Sequence, residues 1–300
     1  MDFGHLKFAM KTAWVFPGQG SQAVGMTGGL PETERGRRRL AEAEEILGWS
    51  VLEKCQGEEE ELGLTRHTQP CLYVVETILA DLLQEQGEKP DYVAGHSLGE
   101  YSALYSAGVF DFGTGLKLVQ KRALLMEAAQ GGKMAAVIKF DPEQLQILLS
   151  QSPEVVLAND NSAEQVVLSG PAEAMDQLLP QLKAKRVVPL KVSGAFHSPQ
   201  MTAAAQAFEA VLTAVEFRAP QCPVLANTDP SPSADPAVLK SRLLAQMTGG
   251  VRWREILLTL PTLGVTDLWE VGPGKVLTGL AKRTCPSLAL KNIGDLPDLP

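Results

Sequence analysis

Tyr92-Val93-Ala94-Gly95-His96-Ser97-Leu98-Gly99-Glu100-Tyr101 is the stretch on which the reading of this chain turns. Tyr92 to Ala94 is a short apolar run of the kind a buried strand supplies, and Ser102-Ala103-Leu104 continues as a helix. Between them lies Gly-x-Ser-x-Gly in a strand–turn–helix setting. So sharp a turn crowds the residues beside the serine, and glycine is wanted at both flanks, where a Cβ would clash. The Ser97 hydroxyl then stands at the mouth of a helix, where backbone N–H groups point at any oxyanion formed next to it. Ordinary glycine-flanked turns also match a bare Gly-x-Ser-x-Gly. Here the context fits, and Ser97 is read as a nucleophile.

Upstream, Thr12 to Phe16 reads as a strand that runs into Pro17-Gly18-Gln19-Gly20-Ser21-Gln22. A dinucleotide fingerprint would need glycine at Ala23, and a phosphate-binding loop would need a Lys-Ser/Thr pair that is absent. The loop is better read as backbone that approaches a ligand closely. An oxyanion hole of this kind takes one N–H from the residue after the nucleophile and one from a separate strand-end loop. Leu98 supplies the first, and Gln19 is the candidate for the second. Arg35 to Leu47 is helical, and its Arg37-Arg38-Arg39 and Glu42, Glu44, Glu45 read as a solvated face. Thr68-Gln69-Pro70 opens a helix over Cys71 to Gln86, with Leu72, Val75, Leu79 and Leu82 packing on the core.

Downstream, a helix from Leu116 to Ala129 places Arg122 within an apolar stripe of Leu118, Leu125 and Ala129. Arg122 is either a snorkelling rim residue or a guanidinium held to fork onto a carboxylate, and spacing does not separate the two. Beyond Gly131-Gly132 the pattern is strand (Met134–Phe140), helix (Pro142–Leu149), strands (Val155–Asn159, Gln165–Ser169), helix (Ala172–Lys183, interrupted at Pro180) and strand (Val188–Val192). This βαββαβ order is ferredoxin-like and reads as a small domain inserted into a larger one. Its exit carries Gly194-Ala195-Phe196-His197-Ser198-Pro199, with Ser198 as N-cap and Pro199 as first helical residue. Of four histidines, His5 lies in the leader, His67 in a polar loop, and His96 diverges from its neighbour Ser97. That leaves His197 as the base, its ring kept neutral by the positive end of the following helix.

The last third adds a strand at Cys222–Ala226 that ends in Asn227-Thr228-Asp229, and a helix from Ala237 to Met247. A strand at Asp267–Val271 then breaks at Gly272-Pro273-Gly274 and restarts as helix at Lys275, either an anion site or a simple turn. Alternating strands and helices imply a mostly parallel sheet covered on both faces. The 300 residues allow a sizeable core, and 45% hydrophobic with 21% charged residues is ordinary globular composition. A net charge of -8 argues against nucleic-acid binding, and no apolar run is long enough for a membrane span. Cys55, Cys71, Cys222 and Cys285 form no Cys-x-x-Cys pair, so free thiols in a reducing, cytoplasmic setting are expected, with no metal site. Met1 to Ala9 is read as a leader without a role in the fold.

Phe16-Pro17-Gly18-Gln19-Gly20-Ser21-Gln22, Gly95-His96-Ser97-Leu98-Gly99-Glu100-Tyr101, Gly194-Ala195-Phe196-His197-Ser198 and Glu270-Val271-Gly272-Pro273-Gly274-Lys275 occur in this order. Together they resemble the malonyl-CoA:acyl carrier protein transacylases of bacterial type II fatty-acid synthesis, from Lys11 to about Asn292. The resemblance implies an α/β fold with an α/β-hydrolase-like core (10–131 and 195–292) and a ferredoxin-like subdomain (132–194). It implies that Ser97 is acylated, that His197 is its general base, and that the N–H groups of Gln19 and Leu98 form the oxyanion hole. It further implies that Arg122 binds the malonyl carboxylate and that a backbone carbonyl, here that of Gln246, orients the histidine. Asn159 and Asn161 would line the cleft between the domains, and Phe196 would accompany malonyl rather than methylmalonyl selection. Malonyl-CoA and acyl carrier protein are the implied partners. CoA thioester and phosphopantetheine arm would be substrates, with no permanently bound cofactor, and a monomer is expected.

Three rival readings share these residues. A hydrolase would use Ser97 and His197 without needing Arg122, and a trans-acting polyketide acyltransferase would carry every motif. A non-catalytic carrier-docking module would have no need of serine, histidine and arginine together. Docking of an acidic carrier would call on Lys183, Lys185, Arg186 and Lys191, or on Lys275, Lys282 and Arg283.

Overall fold

The computed structural model describes residues 10–300; the leader Met1–Ala9, His5 included, lies outside the described residues. The chain enters through β1 (Lys11–Phe16) and lays down α1 (Glu34–Leu47), α2 (Val51–Gln56), α3 (Glu59–Gly63) and α4 (Thr65–Glu85). β2 (Tyr92–Gly95), α5 (Gly99–Ser106) and α6 (Phe112–Ala128) follow. Next come β3 (Gly132–Phe140), α7 (Pro142–Gln151), β4 (Val156–Ser162), β5 (Gln165–Pro171), α8 (Ala172–Leu178) and β6 (Ala184–Pro189). A 3-10 turn at Pro199–Met201 leads into α9 (Thr202–Thr213), β7 (Val224–Leu225), α10 (Pro236–Ala245) and α11 (Trp253–Thr262). β8 (Val265–Val271), α12 (Val276–Thr284) and β9 (Ala289–Ile293) complete the chain.

Two sheets result. The larger is wholly parallel, in the order β7-β2-β1-β8-β9. Alternation along β1 sends Trp14 and Phe16 to one face, against α4, α5 and α6, and Ala13 and Val15 to the other, against α11 and α12. Both faces are covered, which is why the strands read as continuous apolar runs. The smaller sheet is antiparallel in the order β4-β5-β3-β6, the ferredoxin-like arrangement, with Leu145, Leu148, Met175 and Leu178 of α7 and α8 on one face. Its edge strand β4 is tied to the segment before α11. Val251 N–H donates to Ala158 O at 2.7 Å, Asp160 N–H donates to Val251 O at 2.9 Å, and Arg254 pairs with Asp160 at 2.9 Å.

Several expected boundaries move for local reasons. α6 starts at Phe112 because the Asp111 carboxylate caps it, accepting from Thr114 N–H at 2.7 Å. α4 starts at Thr65, with His67 and Pro70 inside it rather than ahead of it. The last strand of the insertion is Ala184–Pro189, not Val188–Val192; beyond Pro189 one further bond, Leu190 N–H to Met134 O at 2.9 Å, ties the chain to β3 before it turns away towards Gly194. α8 stops at Leu178, and Pro180 sits in the 3-10 turn that follows. Among the described residues all four cysteines are free thiols, and no helix is long and apolar enough to cross a membrane.

The turn that carries Ser97 is pressed onto the end of β1. A Cβ on Gly95 would fall 1.9 Å from the Gly99 carbonyl carbon, and one on Gly99 would fall 2.0 Å from Phe16 O. Backbone on backbone cannot yield as a side chain would. Gly99→Ala is therefore expected to destabilise the protein by about 3 kcal/mol, read as a lower urea midpoint. A loss below about 1 kcal/mol would show that the turn relaxes and that the contact is not limiting.

Candidate active site

Ser97 sits between β2 and α5 with φ +53°, a left-handed conformation rare for a residue with a side chain. Its own N–H donates to Asn227 Oδ1 at 2.7 Å, while Asn227 Nδ2 donates to Gly95 O at 2.5 Å. Asn227 lies just past β7, the strand next to β2, so its amide staples both ends of the turn. Sharp turn and staple together hold the hydroxyl in place.

His197 faces it from the segment before α9. Ser97 Oγ and His197 Nε2 are 2.7 Å apart, and His197 Nδ1 lies 2.8 Å from the Gln246 carbonyl oxygen. A carbonyl only accepts, so Nδ1 carries the proton and Nε2 is the lone pair facing the hydroxyl. Ser198 caps the following turn as expected, its Oγ accepting from Gln200 N–H. Burial first and then the nearby Arg122 guanidinium lower the pKa of the ring to about 3, which favours its neutral form.

Arg122 is not a snorkelling residue: it is fully buried. Nη2 donates to Ser97 Oγ at 3.0 Å and to Gln246 Oε1 at 2.9 Å, and Nη1 donates to Gln69 Oε1 at 2.8 Å. Its guanidinium lies 5.4 Å from the centre of the Tyr101 ring, and among the described residues Nε has no partner. Every acceptor it touches is neutral. A buried cation without a bonded carboxylate is costly, and the arrangement suits an anion that arrives from outside.

The N–H groups of Gln19 and Leu98 make no hydrogen bond among the described residues. The Gln19 side chain is anchored instead, donating to Thr65 Oγ1 at 3.1 Å and accepting from Gln69 Nε2 at 3.4 Å. Asn161 and Asn159 part company. Asn161 is buried and accepts from His96 Nε2 at 2.8 Å, linking the insertion to the turn, and His96 packs edge-on against Trp253. Asn159 lies beside Val251, its Oδ1 buried without a partner. Phe196 is buried in the main core directly before His197.

The Glu270–Lys275 motif is not an open anion site. The Glu270 carboxylate itself fills the start of α12, accepting from Leu277 N–H at 3.0 Å, Thr278 N–H at 2.7 Å and Thr278 Oγ1 at 2.8 Å. Gly272, at φ +142°, lies so close to Pro17 that a Cβ would come within 2.8 Å of its ring. The motif buttresses the loop that carries Gln19. Both basic clusters, around β6 and on α12, are exposed. His67 is structural, its Nδ1 lying 2.9 Å from Glu61 O. Sequence reasoning missed Gln69, which positions Arg122, and Asn227, which braces Ser97. The available signals were a glutamine in the dipeptide Gln69-Pro70 and an asparagine at a strand end. Among the described residues no group of three or more His, Cys, Asp or Glu could hold a metal ion.

Comparison with known proteins adds four findings. Residues 13–288 match the family model of the acyl transferase domain. A malonyl CoA-acyl carrier protein transacylase of Synechocystis sp. is 62% identical over 97% of this chain and 99% of its own length. The crystal structure of the Synechocystis enzyme superposes with a TM-score of 0.95 over 96% of this chain and 99% of its own. A type II polyketide acyl carrier protein bound to its malonyl-transacylase contains a chain 38% identical, with a TM-score of 0.91 over 96% of this chain and 97% of that one.

Proposed function

The chain belongs to the acyl transferase domain family, and we propose that it moves a malonyl group from malonyl-CoA to the phosphopantetheine thiol of an acyl carrier protein. One observation carries this reading: Ser97 Oγ is shared by His197 at 2.7 Å and by a fully buried Arg122 at 3.0 Å that has no carboxylate partner among the described residues. The pair supplies a nucleophile and its base, and the guanidinium supplies a reason for the acyl group to be anionic.

Transfer proceeds in two halves. His197 Nε2 takes the Ser97 proton as Oγ attacks the malonyl thioester carbonyl, and the Gln19 and Leu98 N–H groups receive the oxyanion. Collapse breaks the C–S bond, and the CoA sulfur leaves with the proton held on His197. The carrier's thiol then gives its proton to the same nitrogen, attacks the malonyl-serine ester, and restores Ser97. The Gln246 carbonyl holds the imidazole throughout, and Arg122 holds the malonyl carboxylate. Asn159, Asn161 and Phe196 shape the cleft around the acyl group, with 132–194 as the inserted subdomain.

The similarity to Synechocystis malonyl CoA-acyl carrier protein transacylase supports a role in fatty-acid chain elongation, and we propose that the enzyme acts in the cytoplasm as a monomer without a permanently bound cofactor. A Bacillus subtilis relative named for polyketide biosynthesis, 40% identical over 90% of the chain, keeps polyketide supply as the second reading. The test is to incubate the protein with malonyl-CoA, acetyl-CoA or methylmalonyl-CoA, read the intact mass, and then add phosphopantetheinylated carrier. A malonyl adduct on Ser97 that passes to the carrier is expected. Loss of the adduct to free malonate would make the protein a hydrolase.

A further inference from the structure

Nothing in the transfer scheme uses Glu100, although it is 1% exposed and sits in the first turn of α5, three residues from Ser97. A carboxylate is buried only where its bonds repay the loss of water. Here one oxygen, Oε2, accepts from Gln246 Nε2 at 2.8 Å and from Asn227 N–H at 2.9 Å. We infer that Glu100 is the positioning residue of this centre, fixing Gln246 and Asn227 and through them the histidine's carbonyl partner and the strained serine turn. The inference rests on the acyl-transfer reading above.

Gln246 touches every working group. Its backbone carbonyl holds His197, its Oε1 holds Arg122, and its Nε2 donates to Ser97 O at 2.9 Å as well as to Glu100. A primary amide has two ends of nearly equal shape and opposite polarity. Arg122 only donates and an ionised Glu100 only accepts, so the amide between them has one satisfied orientation. Remove that acceptor and Nε2 keeps Ser97 O as its one partner, so the amide is held less firmly and loosens Ser97 O and the segment whose carbonyl orients His197. Asn227 is pinned through its backbone N–H, which sets where its amide meets Ser97 N–H and Gly95 O. Among the described residues the histidine ring bonds to no carboxylate; Glu100 stands one residue behind, acting on both halves of the pair.

The role is acceptance of hydrogen bonds rather than charge. The charged groups that act on Glu100 are Arg122 from α6 and Arg242 from α10, yet burial still raises its pKa to about 7. A proton added at Oε1 leaves Oε2 able to accept both bonds, and a glutamine oxygen does the same. Leucine is similar in size and accepts nothing.

Full-length Glu100→Gln and Glu100→Leu variants separate the readings. The measurements are the rate at which a fluorophosphonate labels Ser97, and kcat and KM for malonyl transfer from pH 6 to 8. Glu100→Gln is expected to stay within about threefold of the parent, with a superimposable pH profile. Glu100→Leu is expected to lose about 10²-fold in kcat and in labelling, from displaced reacting atoms, with KM for malonyl-CoA within about threefold. Full activity in Glu100→Leu would overturn the inference. So would a loss in Glu100→Gln as deep as in Glu100→Leu, or a limb near pH 7 in the parent that Glu100→Gln lacks; either would assign the effect to charge. If Glu100→Leu does not fold, Glu100→Ala, which also accepts nothing, takes its place under the same criteria. Fluorophosphonate labelling without malonyl uptake would overturn the proposed substrate instead, and the labelling rates would still judge Glu100.

Discussion

His197→Ala is expected to lower kcat/KM for malonyl transfer by about 10³-fold, within the range that a positioned general base contributes. Among the described residues His197 Nε2 is the one basic nitrogen that faces the Ser97 hydroxyl, since the other contact at Oγ comes from an arginine that only donates. The loss should fall on acylation itself and be visible as slow growth of the Ser97 adduct by intact mass. More than a tenth of the parental rate would point to a second base. A pH profile follows from the same geometry. The base works while neutral, so activity is present above its pKa and lost below it. Burial and Arg122 lower that pKa to about 3. The acid limb of kcat/KM should therefore lie well below an ordinary histidine's value near 6.5, leaving the profile flat from pH 8 to about 5. A limb at 6.5 would mean that the ring is wetter than the structure shows.

The turn around Ser97 was legible because its constraints are local. Two glycines, a preceding apolar run and a following helix are all contiguous in sequence, and the crowding that demands glycine acts between neighbours in the chain. The insertion was legible for a related reason, as a periodicity that changes at Gly131-Gly132 and returns at Gly194. Arg122 was only half legible. Spacing put it among apolar residues but could not say whether its head reached water, because that depends on Gln69, Gln246 and Tyr101, which come from three other segments. The Glu270–Lys275 motif offered a glycine-rich helix start, and only the fold reveals that the protein's own carboxylate already occupies it. Asn227 and Glu100 show the limit most clearly. Each forms its decisive bond across more than 100 residues of chain, with polar side chains that no periodicity marks.

Arg122→Ala is expected to abolish the preference for malonyl over acetyl. Buried charge pairs that lose one partner typically cost about 3–5 kcal/mol, so malonyl-CoA should lose roughly 10²- to 10⁴-fold in kcat/KM. Acetyl-CoA has no carboxylate to strand, and its transfer should persist, reduced only by the loss of the 3.0 Å bond from Nη2 to Ser97 Oγ. Arg122→Lys should rescue little, because an ammonium cannot span Gln69, Gln246 and a carboxylate as a planar fork does. A second signature separates loss of the anion site from general damage. The Arg122 cation is the second largest cause holding down the His197 pKa. Its removal makes the imidazolium less unfavourable, so the acid limb of acetyl transfer should move to higher pH in Arg122→Ala while the parent's stays low. Unchanged malonyl selectivity would reject the carboxylate role. Lost selectivity with an unmoved acid limb would keep that role but separate Arg122 from the electrostatics of the base. If both shifts occur, one buried guanidinium both selects the acyl group and keeps its base ready to accept a proton.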